Sequence, residues 1–232
     1  MKDVIILGAG VGSRLRPMTD AVPKLLVPVV GRSILERALS VIVNQASSVQ
    51  VVVGYRWRDI SAFVIEHFPT VRLVHNHAYQ STNNMHSLYL ALAAVNFDSG
   101  VLIMNGDCVY EPRVLEAALR VEDDRIFVDS RYPVNAESMK VKVSSEGHIE
   151  DISKGINAED GGVVSIDLYS LTSASARELY EQIETYEMAA DRNKWTEIAL
   201  RDLLLARSGG TAAIMPYDIA GAMWMEIDNS DD

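Results

Sequence analysis

A glycine loop followed by three cationic side chains is the part of this sequence that is best suited to chemistry. The short apolar run Val4–Leu7 stops at a glycine-rich segment, which continues through Arg14 and Arg16 to Lys24. Glycines let backbone amides approach a bound group closely, and successive amides can form a concave site for phosphate. Three cations beside such amides suit a triphosphate. The alternative is a structural turn that carries solvated surface charges.

Two common phosphate-binding motifs do not fit this loop. A dinucleotide-binding fingerprint would place its third glycine at Ser13, and the following Arg14–Pro17 would disrupt a helix that started there. A Walker A loop needs Gly-Lys followed by Ser or Thr, and the sequence has no such tripeptide. The loop is therefore expected to bind phosphate in another way.

Charge is spread unevenly along the 232 residues. Residues 1–60 carry 8 basic and 4 acidic side chains, whereas the whole chain has a formal net charge of −11. Such an acidic chain is a poor candidate for non-specific binding of nucleic acid or of a membrane surface, since both depend on clustered Lys and Arg. The basic first quarter indicates a local anion site instead, at the glycine loop.

Composition predicts a cytoplasmic globular protein. The single cysteine excludes an internal disulfide framework, which favours a reducing compartment. No apolar run approaches the roughly 18 residues of a membrane span. The apolar stretch Val4–Leu7 is also too short for the apolar region of a signal peptide.

The elements that must position the loop follow from hydrophobic patterning. Apolar β-branched runs alternate with segments of helical spacing over about the first 120 residues, which is typical of a doubly wound α/β fold. We expect a Rossmann-like, mostly parallel sheet with helices on both faces. The predicted strands are Val4–Leu7, Val49–Val53, Val71–His75 and Val101–Met104, and the predicted helices are one capped by Ser33, Trp57–Phe68 and Asn83–Val95.

The pattern becomes β-rich after about residue 120. Predicted strands are Ile126–Val128, Met139–Val143, Ile149–Ile152, Val163–Leu168, Ala213–Met215 and Met223–Asp228, with helices near Ser173–Met188 and Lys194–Arg207. No linker or repeat divides the chain, so we expect a single domain over 1–232. The chain ends directly after a predicted strand, which is consistent with a module of a longer protein.

The glycine loop resembles the signature of the sugar-nucleotide pyrophosphorylase type of nucleotidyltransferases. The matching residues are Gly10-Val11-Gly12-Ser13-Arg14-Leu15-Arg16-Pro17-Met18-Thr19, followed by Pro23-Lys24. The order of elements fits that family along the chain, so the resemblance implies a nucleotide-binding half over 1–120 and an acceptor-binding half over 121–232. It implies that the loop residues Leu7, Gly8, Ala9, Gly10, Gly12 and Ser13 wrap the base and phosphates of a nucleotide. Arg14 and Lys24 are the implied catalytic residues: Arg14 stabilises charge on the β- and γ-phosphates, and Lys24 binds the α-phosphate and the incoming phosphoryl group.

A second segment narrows the resemblance. Asn83-Asn84-Met85-His86-Ser87-Leu88 is similar to the Asn-Asn-x-x-Ser-Leu segment of phosphocholine and phosphonate cytidylyltransferases, and the Gln-Pro-x-Gly-x-Ala type of segment found in sugar enzymes is absent. This favours CTP and implies that Asn83, Asn84 and Ser87 contact the nucleotide. Capping of the following helix also explains the two asparagines, and both roles can coexist at a helix N-terminus.

Two carboxylates follow predicted strands that are far apart in the sequence. Asp107 comes after Val101–Met104, and Asp228 comes at the end of Met223–Asp228. Ligands gather at the carboxyl ends of parallel strands, and Mg²⁺ prefers oxygen ligands. The resemblance assigns Asp107 and Asp228 to Mg²⁺; turn or loop roles are the alternative for each.

The acceptor site is less sharply marked. The resemblance implies that Lys154 contacts the acceptor phosphoryl group. Lys140 is a second candidate, although Lys140 and Lys142 alternate with valines, as in an ordinary half-exposed strand. A quaternary ammonium would need aromatic or acidic partners, for which Trp195, Trp224 and Tyr132 are available. An acceptor with a neutral tail, such as that of 2-hydroxyethylphosphonate, is equally compatible with the sequence.

Two other features are discounted. The spacing of His75, His77 and His86 matches no zinc pattern and lacks cysteine partners. Cys108 has no identifiable base partner for nucleophilic catalysis.

Together these patterns predict a Mg²⁺-dependent cytidylyltransferase. It would transfer CMP from CTP to a small phosphonate or phospho-alcohol, of the 2-hydroxyethylphosphonate, 2-aminoethylphosphonate or phosphocholine type, and release pyrophosphate. Such a chain could be one module of a bifunctional enzyme of phosphonate or antibiotic biosynthesis, with a fused or partner catalytic domain. The alternatives are a sugar-1-phosphate nucleotidyltransferase and an inactive, pyrophosphorylase-like regulatory module.

Overall fold

A computed structural model describes residues 1–207 and 213–229 of the chain. The strands are β1 (Asp3–Leu7), β2 (Pro28–Val29), β3 (Arg32–Ser33), β4 (Ser48–Val53), β5 (Arg72–His75), β6 (Val101–Asn105), β7 (Cys108–Tyr110), β8 (Arg125–Asp129), β9 (Lys140–Val143), β10 (Ile149–Ser153), β11 (Gly162–Leu171), β12 (Met215–Asp218) and β13 (Trp224–Glu226). The helices are α1 (Met18–Ala21), α2 (Ile34–Ile42), α3 (Trp57–His67), α4 (Asn84–Leu92), α5 (Pro112–Arg120), α6 (Ser173–Met188) and α7 (Thr196–Ala206).

The central sheet joins a parallel half to an antiparallel half. Its strand order is β10-β9-β11-β6-β1-β4-β5, and the pairs β6-β1, β1-β4 and β4-β5 are parallel. β11 runs antiparallel to β6, β8 and β9, and β12 pairs with β8. The α/β fold class is confirmed: the parallel strands that meet at β1 come from the first half of the chain, and the β-rich second half extends the same sheet.

Both faces of the sheet are covered by helices, as predicted. Because side chains alternate along a strand, Val4 and Ile6 of β1 pack on one face with α2, α3 and α5, whereas Ile5 and Leu7 pack on the other with α4, α6 and α7. Burying each such side chain contributes roughly 1.5–3 kcal/mol. The strand that carries the glycine loop is therefore held firmly from both sides.

Local signals located most elements to within a few residues. The side chain of Ser33 caps α2 by accepting a hydrogen bond from the backbone N–H of Glu36, and α6 has the predicted bounds. The patterning missed β7 and α5, although Pro112 in the first turn is a usual helix start. The predicted strand Ala213–Met215 was misplaced, since β12 begins only at Met215.

The described part of the chain contains no helix with the length and apolar character that crossing a membrane requires.

Candidate active site

The glycine loop and Asp107 leave the sheet side by side. In the parallel pair of β1 and β6, Leu7 lies opposite Asn105. The backbone N–H of Gly106 then donates a hydrogen bond to the carbonyl of Leu7 (2.8 Å). Both segments therefore emerge at the carboxyl edge of the sheet, where ligands bind in open α/β folds.

Two glycines shape the loop. A Cβ on Gly8 would lie 2.4 Å from the side chain of Leu25, so a larger residue requires that side chain to move. Gly12 has φ +65°, a left-handed conformation that glycine adopts without strain, and it precedes a short 3₁₀ turn at Ser13–Leu15. The loop can therefore turn tightly over Leu25 and carry Arg14 to the same edge of the sheet.

Pairing of two short strands brings Asp228 to Asp107. β13 runs antiparallel to β7, with Glu226 opposite Cys108. The backbone N–H of Ile227 donates to the carbonyl of Asp107 (2.9 Å). The two predicted metal ligands, which are far apart in the sequence, consequently lie on neighbouring backbones.

A compact group of charges forms where these segments meet. The Lys24 ammonium lies 3.0 Å from Asp107 and 2.8 Å from Asp228, and Arg14 also pairs with Asp228. Burial lowers the pKa of Lys24, but the two carboxylates outweigh this effect and raise it above its ordinary value. Burial likewise opposes ionisation of Asp228, yet Lys24 and Arg14 hold its pKa below the usual range. Lys24 and Asp228 are therefore both charged at neutral pH.

Glu226 is a third carboxylate in this group, and sequence reasoning missed it. Its oxygen and those of Asp107 and Asp228 all lie within 4.8 Å of one another. The loss of surrounding water, together with the negative charges of Asp107 and Asp228, raises the pKa of Glu226 to about 7. The alternation in Glu226-Ile227-Asp228 was the available signal, because residues two apart on a strand share a face.

Two adjoining cavities open onto these charges. The loop cavity lies over the glycine loop, and the inner cavity lies between α4, β11 and α7. Predicted residues that line the loop cavity are Leu7, Gly8, Gly10, Gly12, Ser13, Arg14, Lys24, Asn83, Asp107 and Asp228. Predicted residues that line the inner cavity are Leu7, Ala9, Gly10, Arg14, Asn83, Asn84, Ser87, Asp107, Lys154 and Asp228. The fold thus collects around one cleft almost every residue that the sequence singled out.

Lys140 is the exception. It is buried, and its ammonium donates to the carbonyl of Asn135 (2.7 Å) rather than lining either cavity. Burial, aided by the positive charge of Lys154, lowers its pKa. Lys140 therefore supports the segment before β9 in this structure, and its role in acceptor binding stays a prediction.

The asparagines at the start of α4 have structural as well as cavity-lining positions. The side chain of Asn83 caps α4 by accepting a hydrogen bond from the N–H of Asn84 (2.9 Å). The side-chain oxygen of Asn84 accepts from the N–H of Thr196 (2.9 Å) at the start of α7. The Oγ of Ser87 accepts from the side-chain amide of Asn76 (3.0 Å). These bonds fix the wall that the two asparagines present to the inner cavity.

Lys154 and Trp195 lie together in the lining of the inner cavity. The Lys154 ammonium is 5.3 Å from the centre of the Trp195 ring, and 3.8 Å from the carboxylate of Glu137. The other two aromatic candidates, Tyr132 and Trp224, contact each other and line neither cavity. An aromatic cage for a quaternary ammonium is therefore not assembled from the three candidates.

Two further acidic residues in the inner cavity were missed. Asp167 of β11 and Glu197 of α7 both lie beside the hydroxyl of Tyr169, at 3.1 and 2.8 Å. Burial raises the pKa of both carboxyl groups. An acid within the apolar run Val163–Leu168 was a usable signal for Asp167. Glu197 offered none, since acids are common in the first turn of any helix.

The discounted histidines and cysteine have ordinary structural surroundings. His86 pairs with Glu187 (2.6 Å), and the rings of His75 and His77 contact each other at an interplanar angle of 46°. Burial, together with the charge of Asp107, raises the pKa of Cys108, which disfavours a reactive thiolate.

The chain is similar in sequence to curated proteins along its whole length. The chain is 28% identical over its whole length to half of the bifunctional IPC transferase and DIPP synthase of Aquifex aeolicus. It is 27% identical over 98% of its length to 37% of the CMP-5'-(3-aminopropyl)phosphonate synthase of Streptomyces rubellomurinus. The chain thus spans half or less of these curated relatives.

A solved structure shares the fold along the entire chain. The CTP:phosphocholine cytidylyltransferase of Streptococcus pneumoniae superposes with a TM-score of 0.78 at 19% identity, over 100% of this chain and 96% of that one. The family model of the MobA-like NTP transferase domain matches residues 4–133, which include the glycine loop, α4 and Asp107. Since that match covers more than half of its length, this chain belongs to the MobA-like NTP transferase family.

Proposed function

We propose that this chain transfers CMP from CTP to a small phosphonate or phospho-alcohol and releases pyrophosphate. The observation that carries the proposal is the convergence of Arg14, Lys24, Asp107 and Asp228 at the end of a glycine loop. Two cations beside exposed loop amides suit a triphosphate, and two carboxylates beside them suit its counter-ion. An inert regulatory module has no need to keep all four.

Support for CTP comes from the segment around α4 and from the names of similar proteins. Asn83 lines both cavities and Asn84 lines the inner cavity, where a nucleotide on the glycine loop would place its base or ribose. One relative is named for a CMP-phosphonate product and one structural neighbour for CTP and phosphocholine. The absence of the sugar-type segment before α4 points in the same direction.

The proposed reaction is an in-line displacement at phosphorus. An oxygen of the acceptor's phosphonate or phosphate attacks the α-phosphorus of CTP; the bond from that phosphorus to the bridging oxygen breaks, and pyrophosphate leaves with the electron pair. The acceptor oxygen is already anionic at neutral pH, so no general base is required. Lys24 would neutralise charge on the α-phosphate and Arg14 would do so on the leaving phosphates, which is how enzymes chiefly catalyse phosphoryl-type transfers.

The residues present fit a magnesium ion. Asp107, Glu226 and Asp228 present oxygen atoms close enough to share one cation, and the Lys24 ammonium already lies between two of them. Asp107 and Asp228 would hold the ion, with Glu226 beside them. When bound, Mg²⁺ would neutralise the triphosphate and orient it against the glycine loop.

A pyrophosphate-release assay tests the proposal. CTP, UTP, GTP and dTTP are each combined with Mg²⁺ and with 2-aminoethylphosphonate, 2-hydroxyethylphosphonate, phosphocholine or a hexose 1-phosphate. We expect release with CTP and at least one of the three small acceptors. Release with UTP or dTTP and a hexose 1-phosphate alone would identify a sugar nucleotidyltransferase. If no combination releases pyrophosphate, the result would favour the inactive regulatory module.

A further inference from the structure

A buried asparagine stands at the point where the segment between β5 and α4 leaves the sheet. Asn76 directly follows β5, and its backbone N–H donates to the carbonyl of Val53 (2.8 Å), which continues the pairing of β5 with β4. Asn76 is only 1% exposed, yet it belongs to the lining of the inner cavity. Thr82 and Ser87 belong to the same lining, so a ligand in this cavity meets the hydroxyl groups that surround Asn76.

The backbone fixes the orientation of the Asn76 amide. Its Oδ1 accepts a hydrogen bond from the N–H of Ala78 (2.9 Å), and a backbone N–H can only donate. The amide nitrogen therefore faces the other way, where its two hydrogens reach the Oγ1 of Thr82 (3.1 Å) and the Oγ of Ser87 (3.0 Å). Because an amide nitrogen also only donates, both hydroxyl oxygens are acceptors towards Asn76.

This constraint decides where each hydroxyl hydrogen can go. The hydroxyl of Thr82 donates its hydrogen to the carbonyl of Ala78 (3.0 Å), so Thr82 offers a ligand only a lone pair. Within residues 1–207 and 213–229, no protein acceptor is in place for the hydroxyl hydrogen of Ser87. Ser87 is 4% exposed and lines the inner cavity, so the acceptor for this hydrogen has to come from the contents of that cavity.

The cavity that Ser87 lines adjoins the phosphate site of the proposed function. Gly10 lines both cavities, and Ala9 lines the inner one. A Cβ on Gly54 would lie 2.7 Å from the carbonyl oxygen of Ala9 and 2.7 Å from the Cβ of Tyr79. The glycine loop and the segment between β5 and α4 therefore pack together at Gly54. A triphosphate in the loop cavity would place its nucleoside beside this segment.

A cytosine ring complements these two hydroxyl groups. Its pairing edge carries two acceptors, O2 and N3, and one donor, the exocyclic amino group. The unused hydrogen of Ser87 suits either acceptor, and the lone pair of Thr82 suits the amino group. If Ser87 turned its hydrogen towards residue 76 instead, it would present only lone pairs to O2 and N3, and an acceptor that faces an acceptor loses its hydrogen bond.

We propose that Asn76 is a positioning residue for the nucleobase: its amide turns the hydroxyl hydrogen of Ser87 towards the inner cavity, so that Ser87 donates to an acceptor atom of the cytosine ring. This inference rests on the proposed function and specifies how the nucleotide is recognised. Asn76 acts through Ser87 and contributes to nucleotide affinity, whereas the displacement at phosphorus depends on other residues.

A double-mutant cycle on CTP affinity tests the inference, with the intact chain, Mg²⁺ and isothermal titration calorimetry. Ser87→Ala removes the donor and should weaken CTP binding about 5-fold. Asn76→Asp keeps nearly the same shape but, as a carboxylate, accepts hydrogens from both hydroxyls; this reverses the Ser87 hydroxyl and should weaken CTP binding about 10-fold or more. In the Ser87→Ala background there is no hydroxyl to reverse at that position, so the further effect of Asn76→Asp should fall to about 3-fold or less.

The cycle separates positioning from other effects of the substitution. Repulsion between the new carboxylate and the triphosphate, or a general weakening of the fold, would act equally in both backgrounds and give additive losses. Additive losses would overturn the inference and leave the proposed transfer intact. Asn96→Asp makes the same change at an exposed position between α4 and β6, outside both cavities, and as the matched control it should leave CTP affinity unchanged.

A second substitution covers the case in which Asn76→Asp does not fold, which its Tm without ligand would reveal. Asn76→Ala removes both amide donors without adding charge and leaves the Ser87 hydroxyl free to rotate. It should weaken CTP binding about 3-fold, and by less in the Ser87→Ala background. Wild-type affinity in every folded Asn76 variant would contradict the inference. If the wild-type chain does not bind CTP, the proposed function fails and this inference with it.

Discussion

The ammonium of Lys24 lies between the carboxylates of Asp107 and Asp228, 3.0 and 2.8 Å from their nearest oxygens. This single side chain links the glycine-loop region to the segments that follow β6 and β13. It also occupies the place where a triphosphate and its counter-ion would meet. Its surroundings lead to the following expectations for the proposed activity and for stability.

Replacing Lys24 should abolish most of the activity. Lys24→Met removes the cation that faces the α-phosphate, and loss of one such electrostatic contact costs about 100- to 1,000-fold in kcat. Steady-state pyrophosphate release measures this. Lys142→Met is the control, because Lys142 is an exposed lysine that pairs with Glu150 outside both cavities. Near-normal turnover in Lys24→Met would remove Lys24 from the mechanism.

The two carboxylates should govern the response to Mg²⁺ together with CTP. Asp107→Asn and Asp228→Asn each remove a charged oxygen ligand, so the rise in Tm that Mg²⁺ and CTP cause in the wild type should be largely lost, and activity should fall at least 100-fold. Differential scanning fluorimetry gives a readout that does not depend on turnover. Glu181→Gln, which changes charge on the surface of α6, should show the full rise. A full rise in both aspartate variants would show that the ion binds elsewhere.

Gly8 and Leu25 should be energetically coupled. A methyl group on Gly8 would lie 2.4 Å from Leu25, so Gly8→Ala should lower the free energy of unfolding by about 1–3 kcal/mol through overpacking. Leu25→Ala alone opens a cavity and costs about 2–5 kcal/mol. In the double variant the added methyl occupies vacated space, so urea unfolding should give a smaller loss than the two single losses combined. Simple additivity would show that the contact does not limit the loop.

Glu226 should make stability fall as pH rises towards neutrality. Its pKa of about 7 in the folded protein exceeds the ordinary value of 4.5, so the folded state binds the proton more tightly than the unfolded state. Between about pH 4.5 and 7 the folded state therefore loses stability as the pH increases, and above that window the cost is complete. Glu226→Gln removes this cost. The difference in Tm between Glu226→Gln and wild type should be more positive at pH 8 than at pH 4.5. For Glu181→Gln, the difference in Tm from wild type should not increase in this way. An equal difference at both pH values would contradict the assignment.

Comparison of the predicted and observed sites shows which signals are local. The glycine loop, Arg14 and Lys24 were recognised because loop amides, left-handed glycine and adjacent cations are encoded within a stretch of some twenty residues. The caps Ser33 and Asn83 were recognisable for the same reason: a cap bonds to backbone only a few positions away. Strand and helix periods likewise depend on near neighbours.

The remaining parts of the site depended on contacts between distant segments. β7 is only three residues long and is defined by its pairing with β13, so hydrophobic periodicity could not predict it. That pairing nevertheless brings Glu226 and Asp228 to Asp107. The same limitation affected the lysines: Lys140 and Lys154 looked alike in the sequence, but packing turned one to the carbonyl of Asn135 and the other to the cavity wall.

By itself, then, the sequence determined the fold class, the position of the glycine loop and the family, because these are set by residue spacing along one segment at a time. Only the tertiary structure decided that Asp167, Glu197 and Glu226 share a cleft with the loop. The reason is physical: β11, α7 and β13 are brought together by strand pairing and core packing over long sequence separations.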